Sequence, residues 1–168
     1  MVLTVAVDVQ GADKARPYTE KANATFTTVV DEANALGQLY GYKAIPNLFL
    51  IEADGTVSFK ELGTFNVREP AKRAIVDQWT ATGATSEKGN TEDLDGSHAQ
   101  ANAHFLFGQQ LFKRGMTQEA LTEWRKGVAL EPDNYNIRKQ IWAIENPDRF
   151  YDGKVDYDWQ DEQLAKGL

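Results

Sequence analysis

The sequence predicts an α/β region followed by an all-α helical region, and three observations predict it. Short apolar runs bounded by glycine and proline fill residues 1–82, the pattern of strands and short helices between turns. The stretch "TGATSEKGNTEDLDGS", 82–97, then breaks every periodicity. It is polar, acidic and glycine-containing, and it reads as a linker over 83–97. Beyond it the apolar period is purely helical. Helices are predicted over 98–146, and 147–168 form a C-terminal tail.

The elements follow in order. "VLTVAVDV" is Val-rich and ends before Gly11, which predicts a strand buried on both faces. "RPYTEKANA" predicts a helix with Pro17 at its first position. "FTTVVDE" adds a short extended piece. "EANALGQLYGY" predicts a helix with Leu36, Leu39 and Tyr40 near one face and Gly41 at its stop. "NLFLIE" is a buried strand, "ADG" a turn, and "TVSFKEL" alternates as a half-exposed strand, so the three make a hairpin at Asp54-Gly55. "VREPAKRAIVDQWTA" is an amphipathic helix from Pro70, with Ala74, Ile75, Val76 and Trp79 facing inward.

Past the linker, "HAQANAHFLFGQQLFKR", "TQEALTEWRKGVALE" and "NYNIRKQIWAIE" predict three helices. Turns at Gly115-Met116 and Pro132-Asp133 separate them. The tail mixes acids with Phe150, Tyr151, Tyr157 and Trp159, which pack it down, and from Trp159 it forms one more helix.

Composition narrows the function. With 42% hydrophobic residues in 168, the chain can build a core. The net charge is −7, with no basic stripe, which argues against nucleic-acid binding. Residues 1–82 carry 8 basic and 10 acidic side chains against 10 and 15 in the remainder, which a solvated acidic surface explains. No run approaches the roughly 18 apolar residues of a membrane span. "MVLTVAVDVQ" has no basic leader, so no signal peptide is expected. If Met1 is the true start, the location is cytoplasmic.

Zero cysteines exclude disulfides, thiol nucleophiles and zinc–thiolate sites. His98 and His104 are six apart on a helix, on different faces, and cannot chelate one ion. "EDLDGS" fails the spacing of a calcium loop, since Asn102 stands where a bidentate Glu belongs. There is no G-x-S-x-G motif and no phosphate-cradling glycine loop. Asp156 and Asp158 pair in the tail without a recognisable scaffold. No metal, no cofactor and no catalytic residue is expected.

Two resemblances add to this. With Pro132 as its final proline, the stretch from Ala101 resembles a tetratricopeptide repeat. Gly108, Gly115, Ala120, Trp124 and Gly127 stand at its small, turn, small, aromatic and small positions, with Phe107 and Leu111 as bulky neighbours. His104 departs from the usual aromatic. A helix from about Asn136 caps the single repeat, which must dock on something.

Residues 1–82 resemble the later half of thioredoxin-like redoxins of the TlpA/ResA and AhpC/TSA type. The matching features are "VAVDV", Tyr40-Gly41, Ile45-Pro46, the strand at 47–51 and the turn Asp54-Gly55. The resemblance implies a cis Ile45-Pro46 bond. It also implies a truncated sheet, because the family's central strand and Cys-x-x-Cys helix precede "VAVDV" and are absent from these residues. The gap between "VLTVAVDV" and "NLFLIE" is then closed by direct pairing, by another chain, or by a segment of the helical region.

By the repeat resemblance the groove is lined by Asn102, Phe105, Leu106, Gln109, Phe112 and Lys113, with Lys139 and Gln140 from the next helix. Phe105, Leu106 and Phe112 make it apolar and in need of a cover, whether a peptide partner, the redoxin-like part or a second copy. The reading is a non-catalytic protein that binds a protein or peptide partner through its helices, on a cysteine-free redoxin-like scaffold. Pairing through an unpaired strand or the first repeat helix implies a homodimer. Two alternatives stay open: a piece of a thiol–disulfide oxidoreductase whose Cys-x-x-Cys region lies upstream of Met1, and an oligomerisation module.

Overall fold

A computed structural model describes residues 1–87, 89 and 96–167 of the chain. The order is β1 (Leu3–Ala6), α1 (Ala12–Lys21), β2 (Thr27–Val30), α2 (Ala35–Tyr40), β3 (Asn47–Ile51), β4 (Val57–Leu62), α3 (Pro70–Thr82), α4 (Gly96–Lys113), α5 (Thr117–Leu130), α6 (Tyr135–Glu145), α7 (Asp148–Tyr151) and α8 (Tyr157–Ala165). The fold is mixed α/β and helix-rich. Residues 88 and 90–95 of the expected linker, including the first four of "EDLDGS", lie outside the described residues. The helix after them starts at Gly96, two residues earlier than expected.

The strands form two separate pairs. β1 and β2 run parallel, with Leu3 opposite Thr27 and Ala6 opposite Val30. β3 and β4 form an antiparallel hairpin, with Asn47 opposite Leu62 and a register shift at Leu50/Ile51. β1 and β3 do not pair. Direct closure of the gap within the chain is therefore not what occurs. The Glu52–Thr56 turn is the expected one: Gly55 has φ 90°, and Asp54 Oδ1 accepts from the Thr56 N–H at 2.9 Å. Those bonds hold the exposed Asp54 carboxyl below its usual range.

Several burial expectations need correction. No residue of β1 is fully buried, and in β3 only Leu50 is. α1 starts five residues before Pro17 and carries it inside. The missing N–H leaves the Asp13 carbonyl to solvent on an exposed turn. Leu39 is 70% exposed, and α3 buries none of its residues fully, with Ala74 exposed. Gly41 ends α2 as expected, with φ 71° and its N–H on the Gly37 carbonyl at 2.8 Å.

The main core is helical. Trp124 of α5 is fully buried, and its Nε1–H donates to the Phe105 carbonyl of α4 at 3.0 Å. Small residues make that approach possible. A Cβ on Gly108 would stand 2.4 Å from Trp124 Nε1, and one on Gly127 would stand 3.0 Å from the Ala101 carbonyl oxygen. Leu111 is buried here, whereas Phe107 is 54% exposed on the outer face. The tail folds back on α6, where Trp142, Ala143 and Phe150 form a second cluster with Tyr151, Val155 and Trp159. Trp142 and Trp159 meet edge-on at 5.6 Å. Tyr157 does not join them and stays 64% exposed. Of the α/β region, only Val9 joins either cluster among the described residues.

Candidate functional site

The two regions are joined by polar contacts, and a cleft lies along that seam. β1 supplies one wall. The Asp31 N–H donates to the Ala6 carbonyl at 2.7 Å. By the alternation of a parallel ladder, Thr4 and Ala6 turn their backbone groups toward β2, while Leu3, Val5 and Val7 turn theirs away from it. Gln140 of α6 meets that outer edge. Its Nε2 donates to the Val7 carbonyl at 3.3 Å, and its Oε1 accepts from the Val9 N–H at 3.0 Å. Asn136, one turn earlier on α6, grips the backbone elsewhere. Its N–H donates to the Lys43 carbonyl at 2.9 Å and its Nδ2 donates to the Tyr42 carbonyl at 3.4 Å.

Beyond β1 the chain turns at Asp8, whose Oδ1 accepts from the Gln10 N–H at 2.8 Å. Asp8 Oδ2 accepts from the Tyr151 hydroxyl at 3.0 Å. Burial raises the Asp8 carboxyl above its usual range, against these hydrogen bonds and the nearby Lys14 charge. Burial, reinforced by the Asp8 charge, also pushes the Tyr151 hydroxyl up. The Lys14 ammonium lies 4.4 Å from the Tyr151 ring centre. Tyr18 donates its hydroxyl to the Phe150 carbonyl. Lys139 stands over the Tyr157 ring at 5.9 Å, and burial lowers its ammonium pKa. Ile45 and Pro46, joined by a cis peptide bond, close the opposite side. The cleft has a volume of about 670 Å³ and is open to solvent.

The tyrosine hydroxyls of Tyr18 and Tyr151 are thus committed to protein acceptors, and the walls carry one carboxyl and two ammoniums. The two ammoniums suit the holding of an anionic group. Among the described residues no group of three or more histidine, cysteine or acidic side chains is placed to hold a metal ion.

A second polar cluster pins the regions together from the other side. His98 Nδ1 lies 3.0 Å from both oxygens of Glu131, which is 3% exposed. Asn134 Nδ2 donates to Glu131 at 2.7 Å, and the Lys43 ammonium lies 3.3 Å from Glu131 and 2.9 Å from Asp133. These partners raise the Lys43 pKa, the Asp133 hydrogen bond first. His104 instead meets Glu123 at 2.8 Å. Both histidines serve as hydrogen-bonding links.

The expected groove residues fall on two sides of this picture. Asn102, Phe105, Gln109 and Gln140 are buried, Leu106, Phe112 and Lys139 are half-buried, and Lys113 is exposed. Phe105 shares its apolar cluster with Val9, α2 packs against α4, and Lys113 pairs with Glu32 at 2.9 Å. The chain's own α/β region therefore supplies the cover that this apolar face was expected to need. Its cover is internal because Val9 and α2 supply apolar surface where a lone repeat needs it. Of the expected residues, Lys139, Gln140, Ile45 and Pro46 line the cleft.

Sequence reasoning missed Asp8, Lys14, Tyr18 and Tyr151, which line it too. The available signal was Asp8 before Gln10-Gly11 at a strand end, where a carboxylate closes a turn. No helix among the described residues is long and apolar enough to cross a membrane. No protein-family model, curated protein or solved structure matches the chain.

Proposed function

We propose that the chain is a non-catalytic scaffold that binds a polypeptide partner in the cleft between β1, α6 and the tail. One observation carries this reading. The helices already recognise main chain within the molecule: Gln140 takes the backbone of Val7 and Val9, and Asn136 takes that of Tyr42 and Lys43. Surfaces that read backbone amides in this way are suited to extended polypeptide.

In the finer fold reading, the helical part is a single tetratricopeptide-like hairpin with a capping helix, and the α/β part is redoxin-like with an incomplete sheet. The close approaches at Gly108 and Gly127 support the first. The parallel β1–β2 pair, the β3–β4 hairpin and the gap between them support the second. The homodimer expectation loses one of its two grounds, since Phe105 is covered within the chain.

The test uses reduced, carboxymethylated lactalbumin as a permanently unfolded polypeptide, labelled with fluorescein. Binding to the full chain raises its anisotropy, and Ala15→Trp, which projects bulk into the cleft from α1, weakens it at least tenfold. Binding that Ala15→Trp leaves unchanged overturns the assignment to this cleft. In parallel, the chain gives no insulin reduction with dithiothreitol above the uncatalysed rate, since it carries no thiol. Turnover above that rate overturns the non-catalytic reading.

A further inference from the structure

The outer edge of β1 is a partly finished ladder, and its unfinished part specifies what fits. In a parallel ladder, a neighbouring residue donates to one carbonyl and accepts from the N–H two positions later. The Gln140 side chain makes this pair of bonds with the Val7 carbonyl and the Val9 N–H. It stands in for one residue of a parallel neighbour. The edge groups before it are the Leu3 and Val5 carbonyls and the Val5 and Val7 N–H groups. No bond to these is described on that side. They form two further complete sites for a parallel strand, Leu3 C=O with Val5 N–H and Val5 C=O with Val7 N–H.

An antiparallel strand needs both groups of one residue. Leu3 and Val5 offer both groups, but at Val7 the carbonyl is already taken by Gln140, so an antiparallel strand leaves the Val7 N–H unpaired where a parallel one uses it. A second copy related by a two-fold axis would bring its own β1 antiparallel, and so pairs at Leu3 and Val5 but leaves the Val7 N–H unpaired.

Charge adds a second constraint. Lys14 and Lys139 are half-buried on the cleft walls, and neither has a carboxylate within ion-pair distance among the described residues. Asp8 and Asp161 act on them only at longer range. Thr4, Val5, Ala6, Ala143, Phe150 and Val155 make the remaining wall largely apolar.

We propose, resting on the polypeptide-binding reading above, that β1 receives a fifth strand from a separate polypeptide. That strand is an extended apolar segment with a carboxylate side chain, running parallel to β1 and ending at Gln140. It completes the β1 ladder over Leu3 to Val7 and pairs its carboxylate with Lys14 or Lys139.

The experiment titrates the ¹⁵N-labelled full chain with a capped heptapeptide that alternates valine and threonine and has one threonine replaced by glutamate. Two companion peptides separate the contributions. One is methylated on the backbone nitrogens that face β1, and the other carries lysine in place of glutamate. The parent peptide is expected to slow amide exchange at Val5 and Val7 at least tenfold, with interstrand proton contacts of parallel type. Backbone methylation weakens binding at least tenfold, and the lysine peptide binds several-fold more weakly.

If the methylated peptide binds as well as the parent, the strand proposal falls while the polypeptide-binding cleft stands. If no peptide shifts any resonance of the cleft, both fall. Antiparallel contacts overturn the proposal, as does a chain that dimerises alone with Val5 already protected, which gives the edge to a second copy.

Discussion

Replacing Gln140 with leucine removes both bonds that tie α6 to the end of β1. The Val9 N–H belongs to a residue that is 4% exposed and loses its acceptor. An unsatisfied buried donor costs about 1–3 kcal/mol. The Val7 carbonyl borders the cleft, where water replaces the lost donor, so its loss adds at most about 1 kcal/mol. The leucine recovers about 1 kcal/mol through its apolar surface. The net loss is about 2 kcal/mol, which for a chain of this size lowers Tm by about 4–8 °C.

Urea unfolding followed by tryptophan fluorescence and calorimetry measures the loss. Hydrogen exchange locates it, with amides of β1, β2 and α1 losing more protection than those of α4 and α5. A Tm within about 1 °C of the parent, or an equal loss of protection in both regions, refutes the reasoning.

Three further outcomes are expected. Gly108→Ala places a Cβ 2.4 Å from Trp124 Nε1 and destabilises the chain by about 1–3 kcal/mol in the same urea assay; an unchanged midpoint contradicts the close α4–α5 packing. Glu131→Ala strips the shared acceptor from His98, Asn134 and Lys43, and costs about 3–5 kcal/mol as the loss of a buried ionic partner does; a loss below about 1 kcal/mol shows that this cluster does not tie the regions together. Asp8→Asn removes a carboxyl whose pKa burial raises above the ordinary 3.8. Wild-type stability from that group is fully present below about pH 3.8 and is lost as pH rises through the raised folded value. The variant therefore gains on wild type as pH climbs from about 4 toward neutrality, and a flat difference across paired melts refutes the sign.

Much of the local structure was legible in the chain. The stop at Gly41, the turn at Gly55 and the break at Gly115 all carry positive φ, and glycine meets that need at least cost. The hairpin of α4 and α5 was legible through Gly108, Trp124 and Gly127, because close helix approach demands small residues facing large ones. Burial was less legible. "VLTVAVDV" is apolar on both faces and predicted a fully buried strand, but no residue of β1 is fully buried. Leu39 fits a helical period and yet faces solvent.

The sequence alone determined the periods, the turns, the lack of cysteine and the order of strands first and helices after. These depend on residues a few positions apart or on composition. Only the tertiary structure decided that the helical groove is filled from within and that Gln140 completes the end of β1 131 residues away. It also decided that Asp8, Tyr18 and Tyr151 share one cleft with Pro46. Periodicity shows that a face must be covered, because exposed apolar surface is unfavourable at any position in the chain. It does not show which surface covers it, since that choice is a competition among distant partners settled by shape and by which backbone groups need a hydrogen bond.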